Sequence, residues 1–366
     1  MLRIFIAILL VCASSQGLAV MALKDYWTVE EYFQQHPEQQ KKFVAFNRLV
    51  QRPGVPVTYA IDSPVKITIV YPGEQASDYW RRSVASFSAR LEELKIPFEI
   101  DSLFTRPGTE LAKQSKKIQQ SLKADPDYLV FTLDALRHRT LLERIMAQSQ
   151  TKIILQNITT PLKSLGDRQP FLYVGFDHQL GSQLIAEEYR KRFPDSARYG
   201  LLNWNKGYVS TMRGGSFVAA LQSEGRYLLE DTYYVKYGRE GAFAAAKNML
   251  ENRSAIDFIF AATTDIALGA MDYLSQSGKK QSIVVNGWGG GSAELESIAN
   301  NALDFTVMRM NDDNGVAMAE AIKLDITQQG HQVPQIYSGA FKIITQETDP
   351  AVLSEIKKQA FRYSGE

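Results

Sequence analysis

Cysteine is almost absent from this chain, since Cys12 is the only one in 366 residues. It lies in an apolar segment, 4–13, that follows Arg3 and precedes small and polar residues, which is the pattern of a secretory signal peptide. We predict that residues 1–22 are the signal peptide, cut after Ala19 or Ala22; the alternative is an uncut N-terminal anchor. The mature chain then has no cysteine, which excludes disulfides, thiolate metal sites and a cysteine nucleophile.

A net charge is also lacking, because 41 Lys and Arg residues are balanced by 40 Asp and Glu residues. No charge of one sign is available to attract nucleic acid or a membrane surface. After the predicted signal peptide, no segment is apolar and long enough to cross a bilayer. Export without disulfides suits a bacterial periplasmic protein that relies on its core alone for stability. We therefore expect a periplasmic location, no nucleic-acid partner and no direct membrane insertion.

Motifs of enzymes and metal sites are missing as well. The glycine run at 287–291, interrupted by Trp288, lacks the third glycine of a dinucleotide-binding loop, and no phosphate-loop lysine motif or nucleophile elbow is present. The four histidines do not have the spacing of metal ligands; they are His36, His138, His178 and His331. We expect no catalytic residues, no metal site, no cofactor and no enzymatic activity.

Strands and helices alternate along most of the chain. Strands are predicted at 66–70, 97–100, 128–132, 152–156 and 171–176, then at 199–204, 228–235, 258–262, 282–286 and 304–308, with late strands at 335–337 and 341–345. Predicted helices of ten to fifteen residues lie between most of them, which is typical of βαβ units with parallel sheets. The strands are too many for one sheet, so we predict an α/β fold of two doubly wound parallel-sheet lobes. Residues 23–60 precede them as an N-terminal extension, in which Thr28 and Glu31 form a capping box.

Polar and aromatic residues recur just after the predicted strands. In the first set these are Gln75, Ser77, Trp80, Thr132 and Asn157, and in the second they are Arg213, Thr264, Asp265, Trp288 and Arg309. Because ligands of open α/β sheets bind at the carboxyl ends of the strands, a cleft between two lobes would bring these side chains together. Amides, hydroxyls and an Asp suit a small hydroxyl-rich ligand, and Trp faces cover its C–H side. Two sheltered arginines imply a negative charge on that ligand.

Each of these residues also has a purely structural explanation. Thr264 or Asp265 could serve only as the N-cap of the helix predicted at 266–276. Trp80 and Trp288 could be core residues, and the arginines could form salt bridges at the surface. The site prediction therefore depends on the repeated placement at strand ends and not on any single residue.

Eight motifs resemble one family of exported binding proteins. They are VYPGEQASDYW, FTLD, LQNITTP, FLYVGFDH, TTDIALGA, NGWGGGSAEL, TVMRMNDD and AFRYS. In this order, from about Tyr26 onward, they resemble the periplasmic binding proteins of the ribose-binding type and, within that type, the quorum-sensing receptors for autoinducer-2. The resemblance implies a type I periplasmic binding protein whose lobes are joined by a three-segment hinge. Crossings near 176–178, 286–288 and 338–341 would give an N-terminal lobe of 61–177 plus 288–339 and a C-terminal lobe of 178–287 plus 340–366.

The resemblance also implies a ligand, a partner and roles for the site residues. The ligand would be the furanosyl borate diester of autoinducer-2, an anion that brings its own boron, so no cofactor is implied. Arg213 and Arg309, one from each lobe, would neutralise the borate. Gln75 and Ser77 would bond near the boron, Thr132, Asn157 and Thr264 would bond ring oxygens and hydroxyls, and Trp80 and Trp288 would form the walls. The partner would be the periplasmic domain of a membrane-bound hybrid sensor kinase of the LuxQ type.

Three other functions stay open from the sequence. The first is the sugar-binding component of a transporter, although two cleft arginines argue against a neutral sugar. The second is a transcriptional repressor core of the same fold, against which the signal peptide and the missing N-terminal DNA-binding segment argue. The third is an enzyme, for which no catalytic constellation is present.

Overall fold

The computed structural model describes residues 25–133, 136–236, 238–252 and 255–365 of the chain. The predicted signal peptide, 1–22, lies outside these ranges. None of the helices within them combines the length and the apolar character that crossing a bilayer requires.

From residue 65 onward most of the strands are separated by helices. The chain opens with α1 (Val29–Gln35), α2 (Pro37–Val50), β1 (Val65–Tyr71), α3 (Tyr79–Glu93), β2 (Phe98–Phe104), α4 (Leu111–Ser121), β3 (Tyr128–Phe131), α5 (Leu136–Gln148), β4 (Lys152–Gln156) and β5 (Leu172–Phe176). It continues with α6 (His178–Arg192), β6 (Ala197–Asn203), α7 (Tyr208–Ser210), a π-helical turn (Thr211–Gly215), α8 (Ser216–Gln222), β7 (Tyr227–Tyr234), α9 (Gly238–Asn252), β8 (Phe258–Ala261), α10 (Thr264–Gln276) and β9 (Val284–Gly289). It ends with α11 (Ser292–Ala299), β10 (Phe305–Arg309), α12 (Asp313–Ile326), β11 (Ile336–Gly339), β12 (Phe341–Thr345) and α13 (Pro350–Ala360).

The strands form two six-stranded sheets, which confirms the predicted α/β fold of two lobes. The first sheet has the order β11-β5-β4-β3-β1-β2, and all of its pairs are parallel. The second has the order β12-β10-β9-β8-β6-β7, and it is parallel except for its edge strand β12, which runs antiparallel to β10. Parallel strands are covered on both faces by their crossover helices, which is why segments such as β1 are almost wholly apolar and buried.

The N-terminal extension is part of the first lobe. Thr28 caps α1 through the predicted capping box with Glu31. Phe46 and Val50 of α2 are fully buried in the same core cluster as β1 residues, and this cluster also takes up the apolar face of α12. The extension therefore contributes apolar burial to the first lobe, although it precedes the first βαβ unit.

The predicted second hinge crossing, at 286–288, is wrong. Phe305 of β10 pairs with Asn286 of β9, and both strands lie in the second sheet. The chain returns to the first lobe only after Arg309, where α12 packs against α3. Residues 288–309 therefore belong to the second lobe, and both Arg213 and Arg309 come from that lobe, not one from each. The sequence pattern of a strand is the same whether the next strand joins the same sheet or the sheet of the other lobe. The crossing could therefore not be located from the sequence pattern.

The last residues of the chain also depart from the predicted division. The N–H groups of Tyr363 and Ser364 donate to Asp312 Oδ2 at 2.7 and 2.8 Å, and Arg362 pairs with Asp313 at 2.6 Å. Both aspartates stand at the start of α12, in the first lobe. The predicted assignment of 340–366 to the second lobe thus holds for β12 and α13 and fails for the terminal segment, which forms a further link between the lobes.

Candidate functional site

The carboxyl ends of the two sheets face each other across a closed cleft. Hydrogen bonds join the two lobes across this cleft. The Ala76 N–H donates to Asp265 Oδ1 at 3.1 Å, and the Ser292 hydroxyl donates to Asp78 Oδ2 at 2.9 Å. The hydroxyls of Thr160 and Tyr208 share a hydrogen bond of 2.7 Å. The cleft therefore encloses a cavity between the lobes.

Both lobes line this cavity, which has a volume of ≈ 70 Å³. A water needs about 10–15 Å³ on this scale, so the space suits a few waters or one small molecule. The first lobe contributes Pro72, Gln75, Ser77, Tyr79, Trp80, Pro107 and Asn157, and the second contributes Trp204, Val209, Arg213, Thr263, Thr264, Trp288 and Arg309.

Eight of the ten predicted site residues line the cavity. They are Gln75, Ser77, Trp80, Asn157, Arg213, Thr264, Trp288 and Arg309. Thr132 is buried just beyond β3 but does not reach the cavity wall. Asp265 also lies off the wall, where one carboxylate oxygen accepts the Ala76 N–H and the other has no hydrogen-bond partner. In this closed arrangement Asp265 holds the lobes together.

The N-cap of α10 differs from both predicted candidates. Thr263 occupies the cap, and its hydroxyl oxygen accepts the Ile266 N–H at 3.4 Å. The suggestion that Thr264 or Asp265 caps this helix is therefore wrong. Thr264 instead donates its hydroxyl to the Trp288 carbonyl at 3.4 Å and lines the cavity.

Two aromatic residues at the start of α3, Tyr79 and Trp80, form part of the first-lobe wall. The Trp80 ring lies 4.6 Å from the Tyr71 ring and 4.8 Å from the Tyr79 ring, measured between centroids. Trp80 is 4% exposed, so it is a core residue and a wall residue at once. Burying the aromatic faces fixes their position before any ligand arrives.

Asn157 stands at the end of β4 in a left-handed conformation, with φ of 64°. Its N–H donates to the Val174 carbonyl at 2.8 Å, while its side-chain Oδ1 is buried without a hydrogen-bond partner. Positive φ is uncommon outside glycine, and such strain concentrates at functional sites. An unpaired buried acceptor costs roughly 1–3 kcal/mol. The amide oxygen is therefore available to accept a hydrogen bond from a ligand hydroxyl.

Arg213 reaches the cavity from the π-helical turn Thr211–Gly215, which is a local widening often found at functional sites. Glycine is required beside it, because a Cβ at Gly214 would lie 2.0 Å from Asn203 Oδ1. The Arg213 Nη1–H donates to the Ala262 carbonyl at 2.8 Å, and the guanidinium carbon lies 3.7 Å from the Trp288 ring centre. The stacking leaves the guanidinium fixed in orientation.

Arg309 ends β10 and lies over Tyr79, with its guanidinium carbon 3.9 Å from that ring centre. The glycine run beside it allows this approach. At Gly289, whose φ is 136°, a Cβ would lie 2.4 Å from an Arg309 nitrogen. The close approach of the Arg309 side chain therefore requires glycine at position 289.

Neither cavity arginine has an acid partner. In the described part of the chain, neither forms a salt bridge with a carboxylate, and Arg309 Nε has no hydrogen-bond partner at all. The Glu294 carboxylate, which is close enough to act on both, is occupied by the N–H groups of Trp288 and Gly290 and by the Thr306 hydroxyl. The alternative of surface salt bridges is thus wrong.

Burial and mutual repulsion act on this arginine pair. Burial lowers the pKa of Arg309 and, together with the charge of Arg309, lowers the pKa of Arg213 well below its ordinary value. Arginine keeps its proton in proteins, so the result is stored repulsion and not a neutral side chain. A negatively charged ligand would relieve it. The cavity is therefore suited to a small anion that carries hydroxyl groups and an apolar face.

The predicted site residues did not include His178, which lies behind the cavity wall, or six residues of the wall itself: Pro72, Tyr79, Pro107, Trp204, Val209 and Thr263. Tyr79 supports Arg309, and it stands inside the same stretch as Ser77 and Trp80. His178 contacts Arg213 and Asn157 without reaching the cavity wall. It follows β5 directly, so the strand-end rule that selected the other residues could have found it. No group of three or more His, Cys, Asp or Glu side chains within the described ranges is placed to hold a metal ion.

A family comparison agrees with the fold and the cavity. Residues 67–329 match the model of the periplasmic binding protein domain family. The chain belongs to this family. Its members bind solutes, so the prediction of a binding protein and not an enzyme is confirmed.

Solved structures with this fold come from several bacteria. GanP, a glucose-galactose binding protein from Geobacillus stearothermophilus, has 15% identity and a TM-score of 0.69, with 79% of this chain and 100% of that chain covered. A solute-binding protein from Bacillus halodurans C-125 with bound myo-inositol has 16% identity and a TM-score of 0.67, over 82% and 100%. One from Actinobacillus succinogenes 130z with bound D-allose has 17% identity and a TM-score of 0.66, over 78% and 98%. At such identities the likeness establishes the two-lobed fold.

Proposed function

We propose that this protein is a periplasmic receptor for autoinducer-2 in its furanosyl borate diester form. In this proposal the predicted signal peptide directs export, and the ligand binds in the cavity between the lobes. The receptor then signals through the periplasmic domain of a LuxQ-type hybrid sensor kinase. The motifs that resemble the autoinducer-2 receptors are most similar to those of LuxP, and they contain seven of the predicted cavity residues: Gln75, Ser77, Trp80, Asn157, Thr264, Trp288 and Arg309.

The observation that carries the proposal is the pair of buried guanidinium groups without an acid partner. A neutral sugar would leave Arg213 and Arg309 uncompensated when the cleft closes, and an unpaired buried charge costs several kcal/mol. A borate diester carries one negative charge on a compact tetrahedral centre. Placed between the two arginines, this charge offsets their repulsion, and the oxygen atoms on the boron accept hydrogen bonds from their N–H groups.

The remaining cavity groups suit the other end of such a ligand. The unpaired Asn157 Oδ1 can accept from a ring hydroxyl, and Thr264 can exchange its long bond to Trp288 for a bond to the ligand. Gln75 and Ser77 lie on the opposite rim, as the resemblance implies for residues near the boron. Thr132 and Asp265 do not line the closed cavity, so their direct contact with the ligand stays a prediction from the resemblance.

Binding in this arrangement favours closure of the cleft. The anion is held by arginines of the second lobe and covered by Gln75, Ser77 and Asn157 of the first, so its full set of contacts exists only when the lobes are closed. A ligand shifts a two-state equilibrium by its difference in affinity for the two states. The kinase domain would then detect the ratio of closed to open receptor.

The test is calorimetric titration of the mature protein with the autoinducer-2 precursor in boron-depleted buffer, with and without added borate. We expect tight binding only when borate is present. Equal binding without borate would assign the cavity to a boron-free furanose and would favour the transporter alternative, in which a neutral sugar is the ligand.

A set of neutral sugars completes this experiment, because solved structures of the same fold hold myo-inositol or D-allose. Titration with D-ribose, D-allose and myo-inositol is expected to give no heat of binding. Saturable binding of any of them, unaffected by borate, would replace the proposed ligand with that sugar.

A further inference from the structure

His178 joins binding residues of both lobes at the hinge. It is the first residue of α6, directly after the crossing from the first sheet, and it is 1% exposed. Its Nε2 lies 3.0 Å from the carbonyl oxygen of Asn157, a first-lobe residue. Its Nδ1 lies 3.2 Å from Nε of Arg213, a second-lobe residue. A single imidazole ring thus connects two cavity residues from opposite sides of the cleft.

The partners determine which ring nitrogen carries the proton. A backbone carbonyl can only accept a hydrogen bond, so Nε2 must donate to Asn157. The Arg213 Nε–H can only donate, so Nδ1 must accept and carries no hydrogen. Both contacts are therefore satisfied only by the neutral ring with its proton on Nε2.

The surroundings of the ring favour that neutral form. Arg213 and Arg309 repel a positive charge on it, and burial lowers the pKa of His178 well below its ordinary value. The adjacent Asp177 uses its carboxylate to cap α6, accepting the N–H groups of Gln179 and Leu180. That carboxylate therefore makes no ion pair with the ring.

The His178 ring also packs against two aromatic rings, and one of them, Trp288, stacks on Arg213. Its centroid lies 5.4 Å from that of the Trp288 ring and 5.7 Å from that of Tyr208. Arg213 stacks on the same Trp288 ring, with 3.7 Å from the guanidinium carbon to the ring centre. With Nε bonded to His178 and Nη1 bonded to Ala262, only Nη2 and the outer edge of the guanidinium are left for a ligand.

We propose that His178 is a positioning residue of the anion site, whose neutral ring aims the Arg213 guanidinium into the cavity and couples it to Asn157. The proposal deepens the function proposed above and takes from it only the identity of the ligand. It assigns no direct ligand contact to His178. Its effect on affinity passes through Arg213, because the ring accepts the Nε–H and so fixes the tilt of the guanidinium together with the Ala262 carbonyl and the Trp288 ring.

The first test measures binding of the autoinducer-2 precursor with borate to two variants. His178→Phe keeps the ring on Trp288 and removes both hydrogen bonds, and we expect affinity to fall by about 10- to 100-fold, the range typical of outer residues that orient a binding group. His178→Asn keeps an acceptor oxygen at the Nδ1 position, and we expect a smaller loss. The exposed His331→Asn serves as the control and should bind as the unsubstituted protein does.

A double-mutant cycle separates positioning from a general structural role. In an Arg213→Lys background, which keeps the charge but lacks the Nε–H, His178→Phe should cause little further loss of affinity. If His178→Phe reduces affinity by the same factor in both backgrounds, the residue acts independently of Arg213 and the proposal is wrong.

A measurement without ligand distinguishes a failure of the His178 proposal from a failure of the proposed function. Nitrogen NMR of the imidazole rings, assigned by the loss of signals in His178→Asn, should show at pH 7 a neutral His178 ring protonated on Nε2. A ring protonated on Nδ1, or on both nitrogens, would overturn the proposal even if borate-dependent binding is observed. Conversely, absence of borate-dependent binding in the unsubstituted protein would remove the proposed ligand and leave the NMR prediction standing.

Discussion

Arg90 and Arg309 are buried to nearly the same degree in different lobes, at 0% and 5% exposed, yet their surroundings are opposite. Arg90 of α3 pairs with Glu320 at 2.6 Å and with Glu93 at 2.9 Å. It also donates to the backbone carbonyls of Leu49 and Arg52 and to the Tyr363 hydroxyl. All three nitrogen atoms of this guanidinium therefore donate hydrogen bonds within the protein.

Arg309 has no such set of partners. It lies against the Tyr79 ring, its Nε is unpaired, and no described carboxylate forms a salt bridge with it. The pKa values of the two arginines shift in opposite directions. Burial alone would lower the pKa of Arg90, but the charge of Glu320 and the bond to Tyr363 raise it, whereas burial lowers the pKa of Arg309. Burial of an arginine therefore says little until its partners are known.

The comparison separates a structural arginine from a binding one. Arg90 connects α3 to α12, to the end of α2 and to the terminal segment, so it contributes to folding. Arg309 and Arg213 keep donors aimed at an enclosed space, which costs stability in the absence of a ligand. Proteins retain such an arrangement at functional sites.

The largest effect is expected for Arg90→Met. This change leaves the buried Glu320 with only its longer pair to Lys323 at 3.9 Å, and breaking a buried pair in this way costs about 3–5 kcal/mol. Urea unfolding of the ligand-free protein should show that loss, while the affinity for the autoinducer-2 precursor with borate stays within a few-fold at temperatures where the variant is folded.

The matched control is Arg239→Met, which removes an arginine from an exposed pair with Asp272. Exposed pairs contribute about 0–1 kcal/mol, so this variant should unfold almost as the unsubstituted protein does. Equal losses in the two variants would contradict the view that the Arg90 cluster is structural.

For Arg309→Met we expect the opposite result, a large loss of affinity without a loss of stability. Affinity for the borate ligand should fall by roughly 2–5 kcal/mol, about 30- to 5000-fold, because a buried charge pair with the ligand is lost. Stability of the ligand-free protein should stay equal or rise by about 1–2 kcal/mol, since an unpaired buried charge is removed. Calorimetry and urea unfolding of the same preparation measure both quantities.

The control for this pair of measurements is Arg309→Lys, which keeps a charge but cannot donate two parallel hydrogen bonds. It should bind more tightly than the Met variant and show no gain in stability. A Met variant that is destabilised by several kcal/mol would mean that Arg309 is a structural residue like Arg90.

The smallest effect is expected from pH, through His178. In the unfolded chain its pKa is near 6.5, and in the folded chain it is lower. Between these values only the unfolded chain binds the proton, so the free energy of unfolding falls as pH drops below about 6.5, by up to about 1.4 kcal/mol per pH unit. Urea unfolding from pH 7.5 to pH 5.0, compared between the unsubstituted protein and His178→Phe, isolates this contribution.

The two proteins should differ in slope below pH 6.5 and run parallel above it. Other groups, among them Asp177, Asp312 and Glu320, whose pKa values burial raises, titrate in both proteins and cancel in the comparison. Parallel curves over the whole range would show that His178 takes up its proton as readily in the folded chain as in the unfolded chain, contrary to its hydrogen bonds.

Local sequence patterns were sufficient for the elements and for most of the cavity wall. The apolar β-branched segment at 66–70 predicted a buried strand, observed as β1, because strands of a parallel sheet are covered on both faces. The same logic located Gln75, Asn157 and Arg309, since the carboxyl ends of parallel strands must share one edge of their sheet. The residues that follow the carboxyl end of a strand can be identified from the local sequence, so these residues could be found without knowing the fold in detail.

Long-range pairing decided the rest. Only the pairing of Phe305 with Asn286 shows that β10 stays in the second sheet, and hence that both cavity arginines come from one lobe. The contact of Asp265 with Ala76 lies between residues 189 positions apart. The role of Arg90 likewise follows from its distance to Glu320 and not from its neighbours in the chain.

The amino-acid sequence by itself thus determined which segments become strands and helices, and which chemical groups stand at the strand ends, because backbone geometry and side-chain spacing act over a few residues. The tertiary structure decided which arginine is neutralised and which is left for a ligand. That outcome depends on the position of carboxylates from distant segments, and electrostatic pairing in a buried site is determined by distances of a few ångströms that only the packed fold establishes.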